Sequence, residues 1–183
     1  MTEATNQSIF SITGNAALLK KVYVPKYVFT LSKVTSSLVN LLFSLGAMFI
    51  VFIITRVQFS FYMLLIPVVL VEVYVFCLGL SLFLAQISVF FRDIQYIYSV
   101  FTTAWMYLTP LFYPMEQLPE NLQKLIKICN PMYHYINQFR TLVLNHCMPS
   151  GASFLYGFGV AGIALIIGTW LFRKNQDRFI LYI

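Results

Sequence analysis

Thr109-Pro110-Leu111-Phe112-Tyr113-Pro114 closes an uncharged, aromatic run that opens just after Phe90-Phe91-Arg92-Asp93-Ile94. These two landmarks decide how the chain folds. A lone Arg-Asp pair, a long stretch without charge and then paired prolines read as a turn at one bilayer surface, a membrane helix, and a structured external cap at the other surface. Working outward, Leu118-Pro119-Glu120 follows, then an amphipathic segment, Asn130-Pro131-Met132, and Asn137-Gln138-Phe139-Arg140.

Composition agrees with a bilayer solvent. A chain of 183 residues that is 60% hydrophobic and 10% charged has more apolar surface than a water-soluble core of this size can hide. A crossing needs about 20 apolar residues, because the hydrocarbon layer is about 30 Å thick and a helix rises about 1.5 Å per residue. Four segments pass that test, at 34–55, 61–86, 95–113 and 152–172. The second has Pro67 as a candidate kink. Isolated strands would leave backbone groups unpaired in lipid, so the expected fold is all-α, a polytopic membrane protein of four transmembrane helices with short re-entrant or interfacial helices at the outer mouth. Residues 1–33 form a cytoplasmic-side helix and linker, and 114–151 form the external cap.

Orientation follows from basic residues, which are enriched in flanks kept in the cytoplasm. With four crossings both termini share a side. Lys20, Lys21, Lys26, Lys33, Arg92, Arg173, Lys174 and Arg178 then lie on that side, against Arg56, Lys124, Lys127 and Arg140 on the other. The expectation is that both termini are cytoplasmic. The net charge of +6 is a topology signal rather than a nucleic-acid footprint, because the basic residues sit at span ends and not on one soluble face. No cleavable leader is evident, since residues 1–7 are polar and no basic stretch precedes an apolar core. Cys77, Cys129 and Cys147 show no disulfide framework or metal spacing, so free or buried thiols are expected, with a Cys129–Cys147 bridge as the alternative.

Glu72 falls near the middle of the second span, where an ionised carboxylate costs on the order of 3 kcal/mol or more. Either it relays protons, or it is a neutral group that bonds a neighbouring helix or lines a wet cavity. The second is favoured, because no other acid falls within the predicted spans. Asn40 in the first span is expected to face protein or a conduit, not acyl chains. Gly157, Gly159, Ala161, Gly162, Ala164 and Gly168 make the last span a close-packing surface. In the third span, Tyr98, Phe101, Trp105 and Phe112 share a helical face. They are either core or a path along which sugar rings slide. His134 and His146 read as satisfied loop histidines, and no catalytic or metal constellation is present.

One further stretch is specific. Asn15, Leu18, Lys20, Lys21, Val22, Tyr23, Pro25 and Lys26 fit the pattern Asn-x-x-Leu-x-Lys-Lys-Val-Tyr-x-Pro-Arg/Lys. With Phe-Arg-Asp-Ile at 91–94 and the proline-broken cap, the chain resembles the membrane subunit of a type-2 ABC transporter, of the branch that exports polysaccharide or polyol-phosphate polymers such as O-antigen, capsule or teichoic acid. The resemblance implies that residues 15–26 contact the ATPase subunit and that Arg92 and Asp93 act at a cytoplasmic gate. It implies partners as well: an ABC ATP-binding subunit, a second copy of the permease, membrane lipid and a lipid-linked glycan, in a bacterial plasma membrane. ATP and Mg would be bound by the partner, since no Gly-x-x-x-x-Gly-Lys-Ser/Thr loop occurs here. Such permeases have six spans, so the first helices are expected to be missing and Met1 to be an internal start. Drug or lipid exporters of the same fold, an ATP-independent carrier using Glu72, and a membrane glycosyltransferase are the rival readings. The last has no paired carboxylates on a cytoplasmic loop to support it.

Overall fold

The computed structural model describes residues 1–22, 24–56, 60–110, 113 and 115–182. Among these residues the chain is helical throughout, with no strand. In order come α1 (Thr2–Ile9), α2 (Ala16–Lys21), α3 (Tyr27–Ile54), α4 (Ile66–Phe90), α5 (Ile94–Leu108), α6 (Glu120–Cys129), α7 (Pro131–Val143), α8 (Gly151–Asn175) and α9 (Phe179–Tyr182). Short 3-10 turns join several of them, at Thr13–Asn15, Phe61–Leu65, Met115–Gln117 and Gln176–Arg178.

Helix α4 is the axis of the molecule. It packs most extensively on α8, with α1 and α3 on another side and α7 near its start. The α4–α8 seam is close because small residues face each other. A methyl group built on Gly79 would overlap the Ala164 backbone, and one on Gly168 would overlap the Gly79 carbonyl. Backbones in lipid gain dispersion contacts from such an approach without any hydrophobic drive. Of the predicted small-residue surface, Ala161 and Gly168 are buried in this seam and Ala164 meets Gly79, whereas Gly159 is exposed. One cluster, including Val69, Phe76, Cys77, Tyr135 and Leu142, fills the space between α4, α7 and α8. A second, of Ile12, Leu82, Ala85, Val89, Phe172 and Phe179, closes the other end.

The helix boundaries depart from expectation in three places. Helix α3 starts at Tyr27, seven residues before the predicted edge at 34, because Pro25 ends the preceding extended segment and nothing after it breaks the helix. Pro67 does not kink a span. It sits in the first turn of α4, where its missing N–H is no loss and its fixed φ is favourable. Three helical segments, Tyr27–Ile54, Phe61–Phe90 and Gly151–Arg178, are long and apolar enough to cross a bilayer. The predicted 95–113 crossing is represented by α5, which has 15 residues, a length of about 22 Å. Thr109 ends it with extended backbone, as the approaching Pro110 favours. All three cysteines are free, Cys77 buried and the other two exposed.

Candidate functional site

Three groups of residues singled out from the sequence take defined places. The first lies at the end of the bundle where α4 stops. Helix α2 presents Leu18, Lys20, Lys21 and Val22 to the outside, with Leu18 and Val22 about half exposed despite being apolar. Asn15 turns inward and donates from its side-chain amide to the Ser11 carbonyl at 2.8 Å. The Ser11 and Thr30 hydroxyls are hydrogen-bonded at 2.9 Å, which ties this segment to α3. Pro25 is exposed. Lys26 is engaged within the chain: Nζ donates to the Gln176 carbonyl and lies 5.5 Å from the centre of the Phe179 ring. Tyr23 lies outside the described residues.

Arg92 and Asp93 occupy the turn between α4 and α5, both exposed. The Asp93 carbonyl accepts from the Tyr96 and Ile97 N–H groups and so starts α5. Arg92 lines a cavity of about 370 Å³ together with Thr13, Ala16, Ser88 and Gln95. The structure thereby brings Ala16, the first residue of α2, and Arg92 of the turn, more than 70 residues apart in sequence, to one cavity. Ser88 Oγ completes the joint by donating to the Ile9 carbonyl at 2.7 Å.

The second group is the aromatic face of α5. Tyr98 and Phe101 are stacked with ring centres 6.1 Å apart, and Phe101 and Trp105 are 5.3 Å apart. The sequence left core and path open for all of them, and the structure separates them. Tyr98 is buried against Ile9 and Leu84, whereas Phe101 is half exposed and Trp105 partly so. Phe112 lies outside the described residues. The rest of α5 is sparsely covered, with Tyr96, Ile97, Val100 and Tyr107 all largely exposed.

The third group surrounds Glu72. Its side chain is fully buried on α4, packed against Gly157 of α8 and facing Gln138 of α7. Both carboxyl oxygens lack a hydrogen-bond partner among the described residues, as does Gln138 Oε1. A Cβ at position 157 would collide with the carboxyl group, so glycine there makes the room that Glu72 occupies. Around it, Tyr135 donates to the Gly157 carbonyl at 3.1 Å and Gln138 Nε2 to the Ser153 carbonyl at 3.0 Å. Burial pushes the Tyr135 phenol well above its usual range, so it remains an O–H donor. Tyr135, Gln138 and Gly157 were not marked by sequence reasoning as an environment for Glu72. The available signal was the rule that an acid within the membrane needs polar company.

A second acid is bonded to a long apolar helix. Glu3 of α1 accepts at Oε1 from Asn40 at 2.7 Å, halfway along α3, and from Gln7 at 3.2 Å. Asn40 is exposed, and its amide is bonded to protein, as expected. Glu3 lies outside the predicted spans in sequence, and α1 carries it alongside α3 and α4.

The cap is held by polar bonds from buried Asn130 and exposed Arg140. Asn130 Nδ2 donates to Thr109 Oγ1 at 2.9 Å, its Oδ1 accepts from the Tyr133 N–H at the start of α7, and Arg140 Nη1 donates to the Pro110 carbonyl at 3.3 Å. His134 is satisfied as expected, with Nε2 2.7 Å from the Lys127 carbonyl. His146 differs: it has a positive φ and its buried Nδ1 has no partner among the described residues. Among the described residues no group of His, Cys, Asp and Glu is placed to hold a metal.

Long apolar helices around a small-residue seam, with a basic knob at one end and a helical cap at the other, define an integral α-helical membrane protein. Residues 5–144 match the family described as ABC-2 type transporter, and the chain belongs to that family. It is 28% identical over 170 residues to the O-antigen export system permease protein RfbA of Myxococcus xanthus, covering 92% of this chain and 65% of that protein. It is 28% identical over 178 residues to the protein of the same name from Klebsiella pneumoniae, covering 96% of this chain and 67% of the relative. The chain thus spans about two thirds of the length of these relatives.

Proposed function

We propose that this chain is the membrane permease subunit of an ATP-driven exporter that moves a lipid-linked polysaccharide or polyol-phosphate polymer across the bacterial plasma membrane. The observation that carries the reading is the alignment of nearly the whole chain with permeases named for O-antigen export, within the ABC-2 type transporter family. The chain is a transport subunit and not an enzyme. ATP and Mg are held by a separate ATP-binding subunit, and two such subunits act on a pair of permeases.

The geometry supplies a route for the coupling. Lys20, Lys21, Leu18 and Val22 form a small cationic and apolar knob suited to docking on the ATPase. Displacement of that knob passes to α3 directly through Pro25 and through the Ser11–Thr30 bond, and to the end of α8 through Lys26. Ala16 at the start of α2 lines the cavity at Arg92, and through it the same displacement acts on the turn that starts α5. Helix α5 then serves as the fourth crossing. It begins beside the end of α4, and residues just past it are bonded to Asn130 and Arg140 of the cap, which packs at the opposite end of α4. Its 15 helical residues together with the extended chain after Leu108 bridge the hydrocarbon layer. Phe101 and Trp105 offer ring faces to passing sugars, and both termini lie in the cytoplasm.

The test is co-purification of the full-length permease with the product of the neighbouring ATP-binding gene, followed by ATPase and glycan-export measurements. The complex is expected to export glycan only with ATP and an intact ATPase. The charge reversal Lys20→Glu with Lys21→Glu is expected to lower export about tenfold, equivalent to about 1.4 kcal/mol of lost coupling. Export at full rate without the ATPase would overturn the reading.

A further inference from the structure

A groove of about 400 Å³ runs between α3, α4 and α8 toward the end where Lys26 and Arg173 lie. It has two chemically different parts. Leu31, Leu78, Leu82 and Phe172 line it with hydrocarbon, and the Thr169 hydroxyl is already spent on the Leu165 carbonyl at 2.6 Å. At the mouth stand Arg173 and Gln176. The Arg173 guanidinium is exposed and has no ion pair among the described residues. Lys26, Lys174 and Arg178 are close to it in the chain or through Gln176, against the single acid Asp177.

The level of this mouth in the bilayer is marked independently by amphipathic rings. Tyr27 is half exposed at the start of α3, and Trp170 is largely exposed with Lys174 Nζ 5.1 Å from its ring centre. Aromatic residues beside Lys and Arg at helix ends are the signature of the membrane–water interface. An apolar furrow that opens among cations at headgroup depth is complementary to one class of molecule: an anionic chain-bearing amphiphile. Its volume lies within the range of about 300–1,000 Å³ that small-ligand sites occupy.

We propose that this groove is a binding site for an anionic glycerophospholipid, with its phosphate on Arg173 and one acyl chain along Leu31, Leu78 and Leu82. The occupant adds to the direct link between α3 and α8 made where Lys26 meets Gln176. The site is separate from the Leu18–Val22 knob and from α5, so it stands whether or not the export reading does.

The test uses the full-length protein in nanodiscs of phosphatidylcholine containing phosphatidylglycerol, with retained lipid counted by native mass spectrometry after extraction. Wild type is expected to retain phosphatidylglycerol over phosphatidylcholine. Arg173→Gln should lower that retention about fivefold, the factor contributed by one interfacial cation. Arg173→Lys should restore most of it, and Leu31→Trp, which fills the furrow, should abolish it with the charge intact. Circular dichroism and gel filtration check that each variant is folded; Arg173→Gln is a surface change and keeps the test decisive if Leu31→Trp does not fold. Equal retention of the two lipids, or retention unaffected by Arg173→Gln, overturns the proposal. So does a photo-crosslinker at position 31 that captures another segment of the protein in place of lipid.

Discussion

The α4–α8 seam and helix α5 are built by opposite rules. The seam is made of backbone meeting backbone at Gly79, Ala164 and Gly168, and its residues are buried over most of the length of α4. Helix α5 buries little beyond Tyr98 and Thr102 and leaves an aromatic face uncovered. The difference teaches which part carries stability and which part is free to change neighbours. A seam closed by glycine has no slack, because its contact surfaces are main chain and cannot choose another rotamer. A helix attached by a few rings and a hydroxyl can tilt at small cost, which suits an element placed between a coupling turn and an outer cap.

The sharpest way to break this contrast is to add volume to the seam. Gly168→Leu should destabilise the protein by at least about 3 kcal/mol, seen as loss of folded material or a lowered melting transition in detergent. Gly159→Leu, on the same helix but facing open space, should change stability by no more than about 0.5 kcal/mol. Equal effects at the two positions would remove the seam from the account.

Glu72 tests the same region by subtraction. Glu72→Ala should cost about 2–3 kcal/mol for the cavity it leaves beside Gly157 and Gln138, read from the same melting curves. Glu72→Gln keeps the volume and should retain export. Export abolished by Glu72→Gln but preserved without the ATPase would point to the carrier alternative.

On α5 the expected pattern is reversed. Phe101→Ala with Trp105→Ala should lower glycan export several-fold while moving the melting transition less than Gly168→Leu does. Unchanged export with normal folding would assign these rings to packing. Among the disruptive changes the smallest effect is expected at the cap, where Asn130→Ala removes both a bond to Thr109 and the N-terminal cap of α7. A loss of about 1–2 kcal/mol, or faster proteolysis of residues 115–150, would report it.

Much of this architecture could be read from the chain. The uncharged runs around α3, α4 and α8 fix the solvent as lipid, because no soluble core of this size accommodates them, and Pro110 with Pro119 and Pro131 marks the cap. Helix α5 ends at Leu108, inside the 95–113 segment that hydropathy marks as a crossing, of which residues 111 and 112 lie outside the described residues. Hydropathy registers an apolar segment whether or not its backbone stays helical, and the helix yields before Pro110. The candidate site was legible only in parts. The knob at Leu18–Lys26 and the turn at Arg92 were each visible, but that Ala16, at the start of the knob's helix, borders a cavity with Arg92 was not, since nothing local in the sequence relates residue 16 to residue 92. Lys26 looked like one more docking cation, yet the end of α8 folds back to take it.

By itself, then, the sequence determined that the chain lives in a bilayer, which stretches supply its long apolar helices, and which end is basic. Those properties depend on neighbours within a turn or two and on the thickness of the hydrocarbon layer. Only the tertiary structure decided that Glu72 lies in a slot opened by Gly157, that Glu3 reaches Asn40 halfway along α3, and that Gly168, rather than Gly159, forms the seam. Each depends on which faces of distant helices meet, and in lipid, where hydrophobicity does not distinguish one apolar face from another, shape and hydrogen bonding make that choice.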